Sequence, residues 1–211
     1  MNISILHPKI LEIADERTGL PLFGGDQAWY ADEWRQKAGC GPTCAANVTA
    51  YLALTRPRLR SLYAGEDMRR DRFAAHMEEV YRFVTPGAMG LNKPEMLAGG
   101  VGAFARSRGL VLRPHLFSVR GNMSGNRQPV SELARFVAEG LERDCPIAFL
   151  NLTRGRVKHI QGWHWITIVS AELGDGIDVC ASDEGGRTCF DLKMWYLSTR
   201  MRGGLVYFSE D

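Results

Sequence analysis

The chain lacks the features that mark membrane, secreted and nucleic-acid-binding proteins. No apolar run in its 211 residues approaches the roughly 18 that a transmembrane helix needs. The N-terminus has neither a basic segment nor an apolar stretch of about 7 to 15 residues, so no signal peptide is predicted and we expect a cytoplasmic protein. The chain also has no large excess of one charge, since it contains 26 Lys and Arg residues and 24 Asp and Glu residues. We therefore expect neither a membrane nor a nucleic acid as a partner.

Repeats, low-complexity segments and Pro/Ser-rich linkers are absent as well. With 45% hydrophobic residues the chain can bury one substantial core, and we expect a single domain over residues 1–211. The loosest segment, residues 118–129, is rich in Gly, Asn and Ser and predicts a long surface loop. The sequence does not indicate an oligomeric state.

Cysteine is infrequent and odd in number. Five cysteines cannot all pair within one chain, and in a reducing compartment none need pair, so we expect thiol chemistry or burial rather than a disulfide framework. Cys44, Cys145, Cys180 and Cys189 are interpreted as core or strand-entry residues. No further ligand stands at a suitable spacing near Cys40 and Cys44, so no metal site is predicted.

Helical periodicity dominates the first two thirds of the chain. Apolar residues recur at helical spacing in four segments, residues 41–54, 71–84, 94–107 and 131–143. Pro42 suits the first turn of the first helix, which is apolar enough to be mostly buried. Ser131 is a candidate cap for the fourth helix. His76, in the second helix, is interpreted as a surface residue.

Short apolar and β-branched runs separated by Gly and Asp turns follow from about residue 145. They predict four strands, at residues 146–152, 163–169, 177–180 and 204–208. We expect an earlier strand within residues 110–119 to join the same sheet. Helices followed by a largely antiparallel sheet define an α+β fold, with a helical part over about residues 20–143 and a sheet part over about residues 145–209.

One cysteine has the setting of a nucleophile. Residues 39–43 read Gly-Cys-Gly-Pro-Thr and lead into the first predicted helix, which places Cys40 at a helix N-terminus. Free backbone N–H groups and the positive end of the helix dipole favour a thiolate there. Gly39 and Gly41 would let the backbone approach a substrate closely, and the Cys40 amide can donate to an oxyanion.

A candidate base and a residue to orient it follow along the chain. Residues 162–168 read Gly-Trp-His-Trp-Ile-Thr-Ile, and we expect the two tryptophans to shield His164 from water. Asp183, in the sequence Ser-Asp-Glu-Gly-Gly at the end of the next strand, is the candidate to orient the imidazole, with Glu184 as the alternative. Each residue also has a plain structural interpretation, as a buried thiol, a half-buried strand histidine and a turn aspartate.

These three motifs, in this order, resemble those of the papain-like cysteine peptidases. The resemblance covers roughly residues 22–208 and is strongest to the bacteriocin-processing, double-glycine branch and its stand-alone bacterial relatives. It implies a papain-like fold, in which the helix that begins at the nucleophile packs on the sheet. It also implies Cys40 as nucleophile, His164 as general base and acid, and Asp183 as the orienting residue.

The family also uses a glutamine upstream of the nucleophile to complete the oxyanion hole, and here the sequence departs from the usual spacing. Residue 34, where the spacing of about six would place it, is Trp. Gln27 lies in a Gly-rich loop that can fold back over the helix start, and it is slightly favoured over Gln36. Either residue can instead be an ordinary surface glutamine.

The resemblance implies hydrolysis of a peptide or amide bond through a thioester acyl-enzyme, acting on a peptide or protein substrate without a metal or cofactor. Two alternatives stay open. One is an acyltransferase of papain-like fold, because the triad itself does not encode the acceptor. The other is a papain-like binding module whose triad is present but unused.

Overall fold

The computed structural model describes residues 1–121 and 127–210. The helices are α1 (Glu33–Ala38), α2 (Cys40–Thr55), α3 (Arg70–Tyr81), α4 (Pro94–Ser107), α5 (Val130–Glu142) and α6 (Leu192–Ser198). The strands are β1 (Asn2–Ser4), β2 (Glu12–Ala14), β3 (Pro21–Phe23), β4 (Leu112–Val119), β5 (Ile147–Asn151), β6 (His164–Leu173), β7 (Ile177–Asp183), β8 (Gly186–Asp191) and β9 (Gly203–Glu210). Three short 3₁₀ helices lie at Pro8–Leu11, Gln27–Trp29 and Pro57–Leu62.

The main sheet has the strand order β4-β9-β5-β6-β7-β8, and its neighbouring strands are antiparallel. Strand β1 pairs with residues 170–172 of β6, beyond Ile168, which pairs with the first residue of β5. Strands β2 and β3 form a separate hairpin. The α+β fold expected from the sequence is confirmed, and the predicted strand within residues 110–119 pairs with β9 in the same sheet.

Helices cover both faces of this sheet because side chains alternate along each strand. In β5, Ala148 and Leu150 face the cluster formed by α2, α3 and α4, whereas Ile147 and Phe149 face the cluster that contains α5 and α6. The sheet therefore carries a buried layer on each side. This burial of both faces explains why β5 is apolar at nearly every position.

Helix α2 runs through the centre of the first layer. Its residues from 41 to 53 are all buried, and four of them are Gly or Ala before the larger Tyr51 and Leu52. Small side chains let the helix approach the sheet and its neighbouring helices closely. The predicted burial of this helix is confirmed, and the candidate nucleophile is its first residue.

The other predicted helices are also present, with two differences at their ends. Helix α3 ends at Tyr81 rather than residue 84, because the chain turns with the Phe83 N–H donating to the Val80 carbonyl. Helix α5 begins directly after Pro129, so Ser131 lies inside the helix and the expected Ser131 cap is wrong. The expected surface loop is shortened at its start by β4, and residues 122–126 of it lie outside the described residues.

The surface assignment of His76 is wrong. Its side chain is 3% exposed, and its Nε2 lies 2.9 Å from the Thr49 hydroxyl. The rings of Tyr63, Phe73 and Phe104 surround it. His76 comes three residues after Phe73, a spacing that places both on the same face of a helix.

The expectation of thiol chemistry or burial rather than disulfide bonding is wrong for two of the five cysteines. Cys180 and Cys189 form a disulfide between β7 and β8. They are direct partners in the antiparallel register, which brings their Cβ atoms together. They are also not core residues, because Cys180 is half-buried and Cys189 is exposed. Cys40, Cys44 and Cys145 remain free thiols, and the predicted burial of Cys44 is confirmed. Cys145, interpreted as a strand-entry residue, is also buried and lies two residues before β5.

Every helix within the described ranges is too short or too polar to cross a membrane.

Candidate active site

Cys40 opens α2 and is partly exposed at the surface of the helical layer. Gly39 precedes it as the N-cap and has no side chain with which to cap the helix. Pro42 lies in the first turn, where its missing N–H costs nothing. The sulfur therefore lies at the end of a helix whose first N–H groups have no partner within the helix.

The two glycines that flank Cys40 are required by packing within the protein. A Cβ on Gly41 would overlap Leu91, and a Cβ on Gly39 would overlap the backbone of Arg35 and the ring of Tyr30. These glycines make room for the protein's own packing. Their role in the close approach of a substrate stays a prediction.

His164 begins β6 and contacts both other members of the expected triad. Its Nε2 lies 2.7 Å from Oδ1 of Asp183, and its ring interacts electrostatically with Cys40, which lines the same small cavity. Because Nε2 faces Asp183, Nδ1 is the ring nitrogen left for the thiol. The side chains of His164 and Asp183 are 7% and 14% exposed, so the pair is largely removed from water.

The electrostatics of this histidine favour the charged ring. Burial lowers the pKa of His164, but the hydrogen bonds to Asp183 and Cys40 and the negative charges on both outweigh it. Together they raise the pKa of His164 to about 10. At neutral pH the imidazole is therefore held as a cation between a carboxylate and a sulfur.

Asp183 is the last residue of β7, and the carboxylate of the next residue, Glu184, has a partner other than His164. The Glu184 carboxylate accepts a hydrogen bond from Gln161 at 2.9 Å, whereas Asp183 is the carboxylate that contacts His164. Glu184 has a left-handed backbone with φ of 46°. Trp163, directly before His164, is left-handed too, with φ of 56°. Such strained residues often lie at functional sites.

The two tryptophans beside His164 differ in burial. Trp165 is 3% exposed, lines the site and donates from Nε1 to the Leu91 carbonyl at 2.7 Å. Trp163 is 48% exposed. Trp165 therefore shields the imidazole from inside the protein, while Trp163 offers an aromatic surface to solvent next to it.

The structure separates the two glutamine candidates. Gln27 lines a small cavity of about 10 Å³ together with Cys40 and His164. Its Oε1 atom is buried and has no hydrogen-bond partner among residues 1–121 and 127–210. Gln36 instead donates from Nε2 to the Tyr30 carbonyl at 2.7 Å and does not line this cavity.

The same cavity is also lined by Cys44, which the sequence analysis interpreted as a core residue, and by Asn47, which it did not single out. Cys44 donates to the Ile166 carbonyl and accepts from the Thr167 hydroxyl, both at 3.3 Å. Burial raises the pKa of the Cys44 thiol to about 12. Asn47 also lines the cavity, and a polar residue within the apolar stretch of residues 44–54 was the available signal for it.

The cavity is small and closely surrounded. A much larger groove, of about 990 Å³, lies beside α6 and contains none of the candidate residues. No group of three or more His, Cys, Asp or Glu residues in the described part of the chain is arranged to hold a metal ion.

Comparison with known proteins finds only remote likenesses. No protein-family model matches the chain, and no curated protein matches it in sequence. Among solved structures, the peptidase domain of Streptococcus ComA, a bi-functional ABC transporter involved in a quorum-sensing pathway, is similar with a TM-score of 0.39 at 9% identity. That match covers 83% of this chain and 93% of the ComA domain. The Pseudomonas avirulence protein AvrPphB is similar with a TM-score of 0.37 at 16% identity, covering 79% of this chain and 90% of AvrPphB.

Proposed function

We propose that the chain is a papain-like cysteine hydrolase that cleaves a peptide or amide bond. The observation that supports this is the run of contacts from Asp183 through His164 to Cys40. It ends in a partly exposed sulfur at the start of a buried helix. A nucleophile, a base and a group that orients the base, each within hydrogen-bonding reach of the next, are the requirements of covalent acyl transfer.

In the proposed reaction, the Cys40 thiolate attacks the substrate carbonyl while His164 carries the proton. The carbonyl oxygen becomes an oxyanion, which accepts hydrogen bonds from the Cys40 N–H and the Gln27 amide. His164 then protonates the leaving amine, and the acyl group remains on sulfur as a thioester. A water molecule, deprotonated by His164, attacks the thioester and releases the acid and the thiol.

Gln27 must present Nε2 to the oxyanion for this role. Its buried amide oxygen has no partner within the described part of the chain, and the oxygen and nitrogen exchange places when the amide turns by half a rotation. The Gln36 side-chain amide already donates a hydrogen bond to the Tyr30 carbonyl. The proposal therefore uses Gln27 and gives Gln36 a structural role.

The substrate in this proposal is a peptide or protein that binds on the surface. A cavity of about 10 Å³ accepts little more than one small group, so the rest of the substrate must lie outside it. Trp163 is the exposed apolar side chain closest in sequence to the base, and it offers a surface for that contact.

The test is a peptide-library cleavage profile of the wild-type chain beside Cys40→Ala, with Cys145→Ala as a matched thiol control. The proposal predicts cleavage by the wild type and by Cys145→Ala and none by Cys40→Ala. Products extended by an added amine, in place of free acids, would instead indicate an acyltransferase. Equal cleavage by Cys40→Ala would contradict the proposal.

A further inference from the structure

One buried amide connects several segments of the candidate site. Asn47 lies on α2 seven residues after Cys40, hence on the same side of the helix, and is 2% exposed. Its Nδ2 donates to the Thr167 hydroxyl at 3.1 Å and to the Ser182 hydroxyl at 3.3 Å. Its Oδ1 accepts from the Gly25 N–H at 2.9 Å. Both amide hydrogens and the carbonyl oxygen are therefore used within the protein.

Each strand partner of Asn47 lies close to one residue of the expected triad. Thr167 follows His164 by three residues on β6. Ser182 directly precedes Asp183 on β7. One side chain on the helix of the nucleophile thus holds the strand of the base and the strand of the residue that orients it.

The third partner belongs to the loop that carries Gln27. Gly25 precedes Gln27 by two residues, so its hydrogen bond to Asn47 fixes the loop directly beside the cavity. On the other side of the loop, the Ser182 hydroxyl donates to the Phe23 carbonyl at 2.8 Å. The loop is therefore held at two points by neighbouring members of one buried network.

The loop lies directly against this network. Gly24 has a left-handed backbone with φ of +74°, and a Cβ there would overlap Ser182 Oγ. Ser182 is 2% exposed and Thr167 is fully buried. A buried network whose groups are satisfied favours a single arrangement, since every alternative leaves a polar group without a partner.

We propose that Asn47 is a positioning residue that holds the Gln27 loop over Cys40, so that the Gln27 amide is in place when the oxyanion forms. The inference rests on the proposed function, in which Gln27 donates to that oxyanion. Asn47 acts through the loop, because its own hydrogen-bonding groups are occupied by Gly25, Thr167 and Ser182.

Two reactions of the same thiol separate positioning of Gln27 from general damage to the site. Iodoacetamide alkylates Cys40 when sulfur displaces iodide from carbon, and no oxyanion forms. With p-nitrophenyl acetate, sulfur forms a thioester and p-nitrophenolate leaves, through a tetrahedral oxyanion. The ratio of the acylation rate to the alkylation rate therefore reports on the oxyanion hole alone.

Asn47→Leu, which keeps the side-chain size, is expected to lower the acylation rate on the order of 10- to 100-fold. The rate and pH profile of alkylation should stay within about twofold of wild type, because the direct pairing of β6 with β7 keeps His164 and Asp183 in place without Asn47. Gln27→Ala should show the same pattern, and adding Asn47→Leu to it should cause little further loss. Thr49 lies on α2 like Asn47, and its buried hydroxyl contacts His76 of α3. Thr49→Val, which removes that hydroxyl, should leave both rates unchanged.

Three results would overturn the inference: equal losses of acylation and alkylation in Asn47→Leu, no loss of acylation, or a full additional loss in the Gln27→Ala background. If Asn47→Leu does not fold, Ser182→Ala decides, since it removes the hydroxyl that accepts from Asn47 and donates to the Phe23 carbonyl. It must lower the same ratio, and a wild-type ratio there contradicts the inference. Absence of any Cys40-dependent acylation in the wild type refutes the proposed function itself.

Discussion

His164 and Asp183 stand at facing ends of two adjacent antiparallel strands, with Nε2 of the imidazole 2.7 Å from Oδ1 of the carboxylate. The strands set this distance, since β6 begins at the histidine and β7 ends at the aspartate. The pairing of β6 with β7 thus determines the relative position of His164 and Asp183. Its chemical consequence is the raised pKa of the imidazole.

The first prediction concerns this carboxylate. Asp183→Asn removes a negative charge and an acceptor, so the pKa of His164 should fall from about 10 and the alkaline limb of Cys40 acylation should move to lower pH. The rate at neutral pH should drop on the order of 100-fold or more. The measurement is the pH dependence of acylation by p-nitrophenyl acetate.

Glu184→Gln is the matched control for that experiment, because this carboxylate bonds to Gln161 rather than to the imidazole. Its acylation profile should match that of the wild type. If Glu184→Gln moves the alkaline limb and Asp183→Asn does not, the two carboxylates exchange roles.

The second prediction concerns acid stability. Burial lowers the pKa of His76 to about 3, so the native state holds it neutral while the unfolded chain protonates it near 6.5. The unfolded state therefore binds the extra proton below pH 6.5, and stability falls as the pH decreases. Between pH 7.5 and 4.5, His76 should cost the protein about 2–3 kcal/mol of unfolding free energy.

Urea unfolding at the two pH values checks this expectation. His76→Leu should lose less stability on acidification than the wild type by that amount, whereas His159→Asn, at an exposed position, should behave as the wild type does. Identical acid losses in the wild type and His76→Leu would show that His76 is not the group responsible.

The third prediction concerns the disulfide between Cys180 and Cys189, which are nine residues apart. After denaturation without reductant, thiol titration should count three free thiols, and after reduction it should count five. Replacing both cysteines by Ala should lower the unfolding free energy by roughly 2–3 kcal/mol, because the short loop no longer restricts the unfolded chain. Five thiols before reduction would contradict the pairing.

The sequence predicted the elements that local pattern determines. Residues 94–107 show helical periodicity and form a helix with those same bounds, despite three glycines. Gly100 is needed there because a Cβ would overlap the carbonyl oxygen of Phe83 and the side chain of Val84, which follow α3. The apolar run before Asn151 and the alternating run after residue 110 likewise indicated strands that the structure contains.

What the sequence could not predict depends on contacts between distant segments. A three-residue strand such as β1 carries too little pattern to reveal its pairing with β6. The Cys180–Cys189 bond requires the register of β7 with β8, which the individual strands do not specify. The choice between Gln27 and Gln36 depends on how a Gly-rich loop folds back, and Asn47 reveals its contacts only once that loop is in place.

The central claim is that Cys40 is a nucleophile activated by His164, and selective alkylation tests it most directly. Wild-type protein is treated with a small amount of iodoacetamide at pH 6 to 7, and the modified cysteine is located by mass spectrometry. We predict that Cys40 reacts at least about tenfold faster than Cys145 and that His164→Ala removes this advantage. Modification of Cys40 at the rate of an ordinary thiol, or a fast rate that persists in His164→Ala, would contradict the account.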